Sequence, residues 1–321
     1  MMLTPCYDDS IEDGSRVGVT MARSKSLVEV DVRGGPMTVA RWSGSGAGAP
    51  LLMVHGISAS HLAWARVVND PTLAGHDIIA PDLRGRGASN ELPGPYGLLQ
   101  HVDDLCSVLD ALGLTQVCFV GHSMGAYIGV HFATREAQRL TSMVLVDGGV
   151  ALPLPEGLAP SALLEKILGP ALARLSREFD SRDAYRAFWR EHPAFQDDGA
   201  WNAELEAYFD YDLTGAAPHF KSRVREAAVR EDGLGPMQPQ MVTLMDEIRV
   251  PTLLVTATRG LLNQPEPLMP VAAVRARCAA NPALSWHELA DTNHYSITLG
   301  AGAAPLAADI ATFSAQHFPS T

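Results

Sequence analysis

The sequence predicts an α/β architecture, a mostly parallel sheet flanked by helices with one inserted helical cap, and three observations carry that prediction. Short, continuously apolar runs such as Leu51-Leu52-Met53-Val54 recur between stretches of helical periodicity, as strands covered on both faces require. Each run stops at a turn: His55-Gly56, Pro81-Asp82, Asp147-Gly148-Gly149. The alternation then ceases over residues 151–245 and resumes at Pro251.

Size and composition allow this. The chain has 321 residues, 47% of them hydrophobic and 19% charged, enough for a large buried sheet carrying one insertion. A formal net charge of -12 argues against nucleic acid or an anionic membrane as the main partner, since phosphate binding needs clustered Lys and Arg. A small, mostly uncharged ligand is expected instead. Cys6, Cys106, Cys118 and Cys278 lie far apart, without a CxxC pair or a His at metal-ligand spacing; reduced, mostly buried thiols are expected, and no metal or organic cofactor. The first 26 residues carry Asp8, Asp9, Glu12 and Asp13 rather than a basic start and an apolar stretch, and no apolar run approaches the roughly 20 residues that span a bilayer. A cytoplasmic protein without stable membrane insertion is expected. The preference for Arg over Lys, with abundant Ala and Gly, points to a GC-rich bacterial genome.

Taken in order, residues 1–26 show no periodicity and read as a mobile N-terminal tail. Val28 to Val32 and Met37 to Trp42, joined at Gly34-Gly35, read as a hairpin. The strand Leu51 to Val54 follows, then Ile78-Ile79-Ala80, which runs into the Gly-rich turn Arg84-Gly85-Arg86-Gly87. Leu98 to Leu112 is apolar at helical spacing, with Gly113 placed to cap its end. Val117 to Val120 is a strand, Gly121-His122-Ser123-Met124-Gly125 a sharp turn, and Ala126 to Arg135 a helix. Met143 to Val146 closes the first part of the core, residues 27–150. The cap, 151–245, is rich in charge and in aromatic residues. The second part, 246–321, holds strands at Thr252 to Val255 and Leu284 to Leu289, the loop Asp291-Thr292-Asn293-His294, and a helix near Pro305 to Gln316.

The turn at Ser123 carries the chemistry. G-x-S-x-G between a strand and a helix is the nucleophile-elbow pattern: the middle residue is forced into a strained conformation, and its neighbours two positions away must lack a Cβ. Strain lifts the hydroxyl clear of the sheet, beside free N–H groups at the helix N-terminus. Attack on an acyl carbonyl develops an oxyanion needing fixed donors. Met124 N–H comes from the elbow helix, and the loop after Val54 supplies a second from Ile57, with Ser58 as the lesser choice. Among 11 histidines, His294 alone follows the last strand on a loop able to reach over the elbow. It is therefore the expected general base, while His55 reads as a structural neighbour of the oxyanion loop.

His55-Gly56-Ile57, Pro81-Asp82-Leu83-Arg84-Gly85-Arg86-Gly87, Gly121-His122-Ser123-Met124-Gly125 and the late His294 come in an order that resembles the α/β-hydrolase superfamily from about residue 27 to the end. The closest look is to its capped esterase, lactonase and C–C-bond hydrolase branch. The resemblance implies Ser123 as nucleophile, His294 as base and the N–H groups of Ile57 and Met124 as the oxyanion hole. Epoxide hydrolases and haloalkane dehalogenases share the fold but place Asp where Ser123 stands. The chain departs from the commonest family pattern at the acid, because Thr256 to Asn263 holds no carboxylate. Some members place the acid after the preceding strand, which makes Asp147 the expected third member, with Asp291 as its rival.

The cap is expected to roof Ser123 and exclude water. Its aromatic residues divide between lining that pocket and packing within the cap; Trp64, Phe188, Trp189 and Tyr208 are the pocket candidates, Trp64 also being a candidate for helix packing. The expected activity is hydrolysis of a small, apolar ester, lactone or thioester through an acyl-enzyme on Ser123. The alternatives are C–C-bond cleavage or elimination with the same triad, and a non-catalytic small-molecule receptor.

Overall fold

A computed structural model describes residues 23–152, 156–197 and 201–318. Strands β1 (Lys25–Val32) and β2 (Gly35–Trp42) form an antiparallel hairpin. Then come β3 (Leu51–Val54), a short helix α1 (Ala65–Val68), β4 (Ile78–Pro81), α2 (Leu98–Ala111), β5 (Val117–His122), α3 (Met124–Arg135) and β6 (Leu140–Val146). The strand order in the eight-stranded sheet is β1-β2-β4-β3-β5-β6-β9-β10, completed by β9 (Thr252–Ala257) and β10 (Leu284–Leu289). Only β2 runs against the others. Every residue of β3, β4, β5 and β9 is buried, the consequence of helices covering both faces of a parallel sheet.

Two apolar layers flank the sheet. One holds α2 and α3 through Val102, Leu105, Ile128 and Phe132, and the other holds Trp64, Val67, Leu306 and Ile310. The expected hairpin begins earlier than its apolar run, at Lys25, inside the segment read as a tail; residues 1–22 of that segment lie outside the described residues. Among the described residues no helix is long and apolar enough to cross a membrane.

Between β6 and β9 the chain forms α4 (Pro160–Leu175), α5 (Arg182–Arg190), α6 (Ala203–Tyr211), a small antiparallel hairpin of β7 (Leu213–Ala216) and β8 (His219–Ser222), α7 (Glu226–Asp232) and α8 (Gln240–Glu247). The hairpin is the departure from an all-helical insertion: its first strand holds Gly215 at φ +92°, where a Cβ would lie 2.4 Å from the His219 carbonyl oxygen. Helix α8 packs differently from the rest. Met241 and Met245 join the apolar layer around α3, so the packed insertion ends before α8 rather than within it at 245. After β9, α9 (Val271–Ala280), β10, the short α10 (Ser296–Leu299) and α11 (Ala303–His317) complete the chain.

Candidate active site

Three loops at the ends of parallel strands converge on one point. Strand β5 passes directly into α3 through Ser123, whose backbone sits at φ 54°, ψ -118°, a region that costs an L-residue on the order of 1–3 kcal/mol. Close packing imposes it. A Cβ on Gly125 would lie 2.1 Å from the Val54 carbonyl oxygen, and one on Gly121 2.3 Å from that of Gly125. At the end of β6, Asp147 also takes a positive φ of 44°. Its N–H donates to Val255 O at 2.7 Å, and its Oδ1 accepts from Ala257 N–H at 3.2 Å. The end of β9, which lacks a carboxylate, thus supplies a donor that fixes the one on its neighbour.

The third loop brings His294. Its Nδ1–H donates to Asp147 Oδ2 at 2.6 Å, and its Nε2 accepts from Ser123 Oγ at 3.0 Å. Asp147 is fully buried and His294 nearly so, which strengthens the chain of hydrogen bonds electrostatically. Asp291 is exposed and makes no bond to His294; its place on the preceding turn points it elsewhere. Two groups hold the His294 backbone. His122 Nε2–H donates to its carbonyl at 3.0 Å, and burial, with His294 alongside, keeps the His122 imidazole well below its ordinary pKa and so neutral. Buried Asn293 caps the next turn through Oδ1 and ties its amide to Ala194 O and Asn263 Oδ1, both at 3.1 Å.

Ile57 and Met124 line the same cavity as Ser123, and no hydrogen bond engages the backbone N–H of either among the described residues. Two buried side chains hold the Ile57 loop: His55, expected beside it, and Arg86, to which sequence reading assigned no such role. Leu83 N–H donates to His55 Nε2 at 3.0 Å, leaving Nδ1–H to donate to Gly56 O at 2.7 Å. In a trans peptide the carbonyl and the following N–H point opposite ways, so His55 turns the Ile57 N–H away from itself. Burial pushes this imidazole down to about 4, so it stays neutral. From the other side Arg86 Nε–H donates to Ile57 O at 2.8 Å, its Nη1 pairs with Asp232 and its Nη2 approaches Met124 Sδ at 3.8 Å. Asp232, from α7, also accepts from His101 Nε2–H and Gly97 N–H. No local signal in the sequence links positions 86 and 232.

A cavity of about 940 Å³, part of it open to solvent, lies over Ser123. Its roof is aliphatic: Leu164, Ile167 and Leu168 of α4, with Pro236 and Met237. Of the four expected pocket residues only Tyr208 borders it. Trp64 is a correction; it is fully buried in the layer beneath, edge-on to His122. Phe188 and Trp189 do not border the cavity over Ser123 and line a neighbouring chamber instead. Trp189 stacks on Phe209 at 4.5 Å in an aromatic cluster of the insertion that also takes in Tyr295 and Leu299 from beyond β10.

This arrangement defines a class. Residues 49–297 match the family model for the alpha/beta hydrolase fold, and the chain belongs to that family. It is 39% identical over 118 residues, 36% of this chain and 42% of the other, to 2-hydroxymuconate semialdehyde hydrolase of Pseudomonas sp. (strain CF600). It is 35% identical over 101 residues, 31% of this chain and 32% of the other, to epoxide hydrolase 2 of Siraitia grosvenorii. The chain thus matches less than half the length of these curated relatives. Among solved structures, E-2-(acetamidomethylene)succinate hydrolase superposes with a TM-score of 0.71 at 19% identity, over 90% of this chain and 99% of that one, a likeness of fold.

Proposed function

We propose that the protein is a serine hydrolase that cleaves an apolar carboxylic ester, lactone or thioester through an acyl-enzyme on Ser123. One observation carries this reading: the unbroken chain of hydrogen bonds from Asp147 through His294 to Ser123. Ser123 Oγ attacks the carbonyl carbon as its proton passes to His294 Nε2, and the N–H groups of Ile57 and Met124 take up the negative charge on the carbonyl oxygen. Asp147 keeps Nδ1 protonated and stabilises the imidazolium. Collapse of the tetrahedral adduct returns the proton from Nε2 to the departing alcohol or thiol. Water then attacks the acyl-enzyme, giving its proton to Nε2, and the serine is regenerated as the acid leaves.

A hydroxyl nucleophile bears on the epoxide-hydrolase relatives. Opening an epoxide with Ser123 would leave an ether, which water does not cleave, so turnover of epoxides is not part of the proposal. Likeness to a semialdehyde hydrolase favours a second reading, in which the same groups cleave an activated C–C bond. A non-catalytic receptor is a weaker reading, since it does not explain why nucleophile, base and acid are all kept in hydrogen-bonding register. Products from parallel incubations with p-nitrophenyl esters, lactones, thioesters and a vinylogous diketone test the proposal. Acyl release from the first three is expected; cleavage confined to the diketone would replace it with the second reading.

A further inference from the structure

A second chamber, of about 510 Å³ and partly open to solvent, adjoins the one over Ser123, and the two share Ile167, Leu168 and Ala171 of α4 together with Leu261 and Tyr295 as walls. Among the described residues its lining includes Lys166 and Arg174 but no carboxylate. Arg174 is 1% exposed, and its guanidinium is used on one side only. Nη1 donates to Tyr185 Oη at 2.6 Å, to Ser222 Oγ at 3.0 Å and to Asp212. Nε and Nη2, which together form the opposite edge, have no partner among the described residues.

That edge has a specific use elsewhere in the same protein. Arg84 turns Nε and Nη2 to the two oxygens of Asp104 at 2.9 and 2.7 Å, and Arg186 turns its own to those of Asp210 at 2.9 and 2.6 Å. Two parallel N–H groups at this spacing match a carboxylate. A buried guanidinium edge left unpaired is costly, and Trp189, whose ring centroid lies 5.2 Å from Cζ, offers a cation–π contact but no anionic acceptor.

We propose that the second chamber is a carboxylate subsite, in which Arg174 grips the far end of a substrate whose scissile acyl group lies at Ser123. The preferred substrate is then an ester or thioester bearing a terminal carboxylate, its apolar middle lying between Ile167, Leu168 and Leu261. This inference rests on the hydrolase reading for the bond cleaved, and on Arg174 alone for the substrate class.

The test compares p-nitrophenyl monoesters of straight-chain dicarboxylic acids, from glutarate to sebacate, with the same compounds capped as terminal methyl esters. In the native protein one chain length is expected to give a kcat/KM for the free acid about tenfold or more above that of its capped partner, mainly through KM. In Arg174→Lys, which keeps a charge and loses the fork, that ratio should collapse. Capped esters preferred at every length in the native protein would overturn the proposal, whether or not the variant folds. Should no ester be cleaved, the hydrolase reading falls, and calorimetric titration with the free dicarboxylates decides the subsite: saturable binding lost in Arg174→Lys supports it, and no binding overturns it.

Discussion

At the scale of the residue, Asp147 shows how a carboxylate is chosen by geometry rather than by nearness in sequence. Asp291 lies three positions from His294 but is exposed, whereas Asp147 meets Nδ1 at 2.6 Å from another strand. Asp147→Asn is expected to lower kcat by orders of magnitude, as when a triad carboxylate loses its hold on the tautomer, with little change in melting temperature. Asp291→Asn should retain near-native turnover on the same ester. Buried histidine and aspartate also set the response to acid. His55 is held down to about 4 by burial, so the stability it contributes is present above its ordinary value near 6.5 and is lost as pH falls towards 4. For Asp82, burial pushes the carboxyl up, but hydrogen bonding from His61 outweighs this and holds it at about 2; its contribution, about 2 kcal/mol, is present above about pH 4 and lost as pH falls through 2. Denaturant midpoints measured from pH 7 down to pH 2 should fall in both windows, and Asp82→Asn should flatten the lower one. Ser123 and His294 were legible because each stands in a local pattern. His55 was legible as a neighbour of the oxyanion loop, but the hold of Arg86 was not, since its partners, Ile57 O and Asp232, come close only by folding.

At the scale of the element, the elbow depends on how closely β3, β5 and α3 approach. A methyl group on Gly125 would meet the Val54 backbone at 2.1 Å, and backbone cannot yield as a side chain does. Gly125→Ala should destabilise the fold by about 3 kcal/mol and abolish activity, read from urea midpoints and ester turnover together. The Gly-rich turn after β4 has a different task, carrying Arg86 to the carbonyl of Ile57. Arg86→Met is expected to reduce kcat about tenfold to a hundredfold with KM little changed, because the donor it steadies acts on the oxyanion more than on the ester. An equal rise in KM with constant kcat would contradict that. Strand positions were readable from apolar runs because strands buried on both faces admit few polar residues. The β7–β8 hairpin was not, since its strands are short and mostly exposed and carry no such run.

Across the whole molecule, the insertion is fastened to the sheet by buried polar contacts on either side of the cavity. Tyr211 at the end of α6 donates to Asp82 at 2.6 Å, and Asp232 at the end of α7 receives Arg86 and His101. Between them the aliphatic face of α4 roofs Ser123, which places apolar walls over a charge-developing reaction. The aromatic richness of residues 151–245 was visible in the sequence, but its division between lining and packing was not, because that depends on which helix faces the sheet. Here α4 lines the cavity with aliphatic side chains, while the rings of α5 and α6 pack mostly on one another, Tyr208 alone of the expected aromatic residues reaching the cavity.

The measurement that bears most directly on the central claim is covalent labelling by a fluorophosphonate, followed by peptide mapping. The account predicts one equivalent of label on Ser123, none in Ser123→Ala, and much slower labelling in His294→Ala. A folded native protein that takes up no label, or takes it up at another residue, would contradict it.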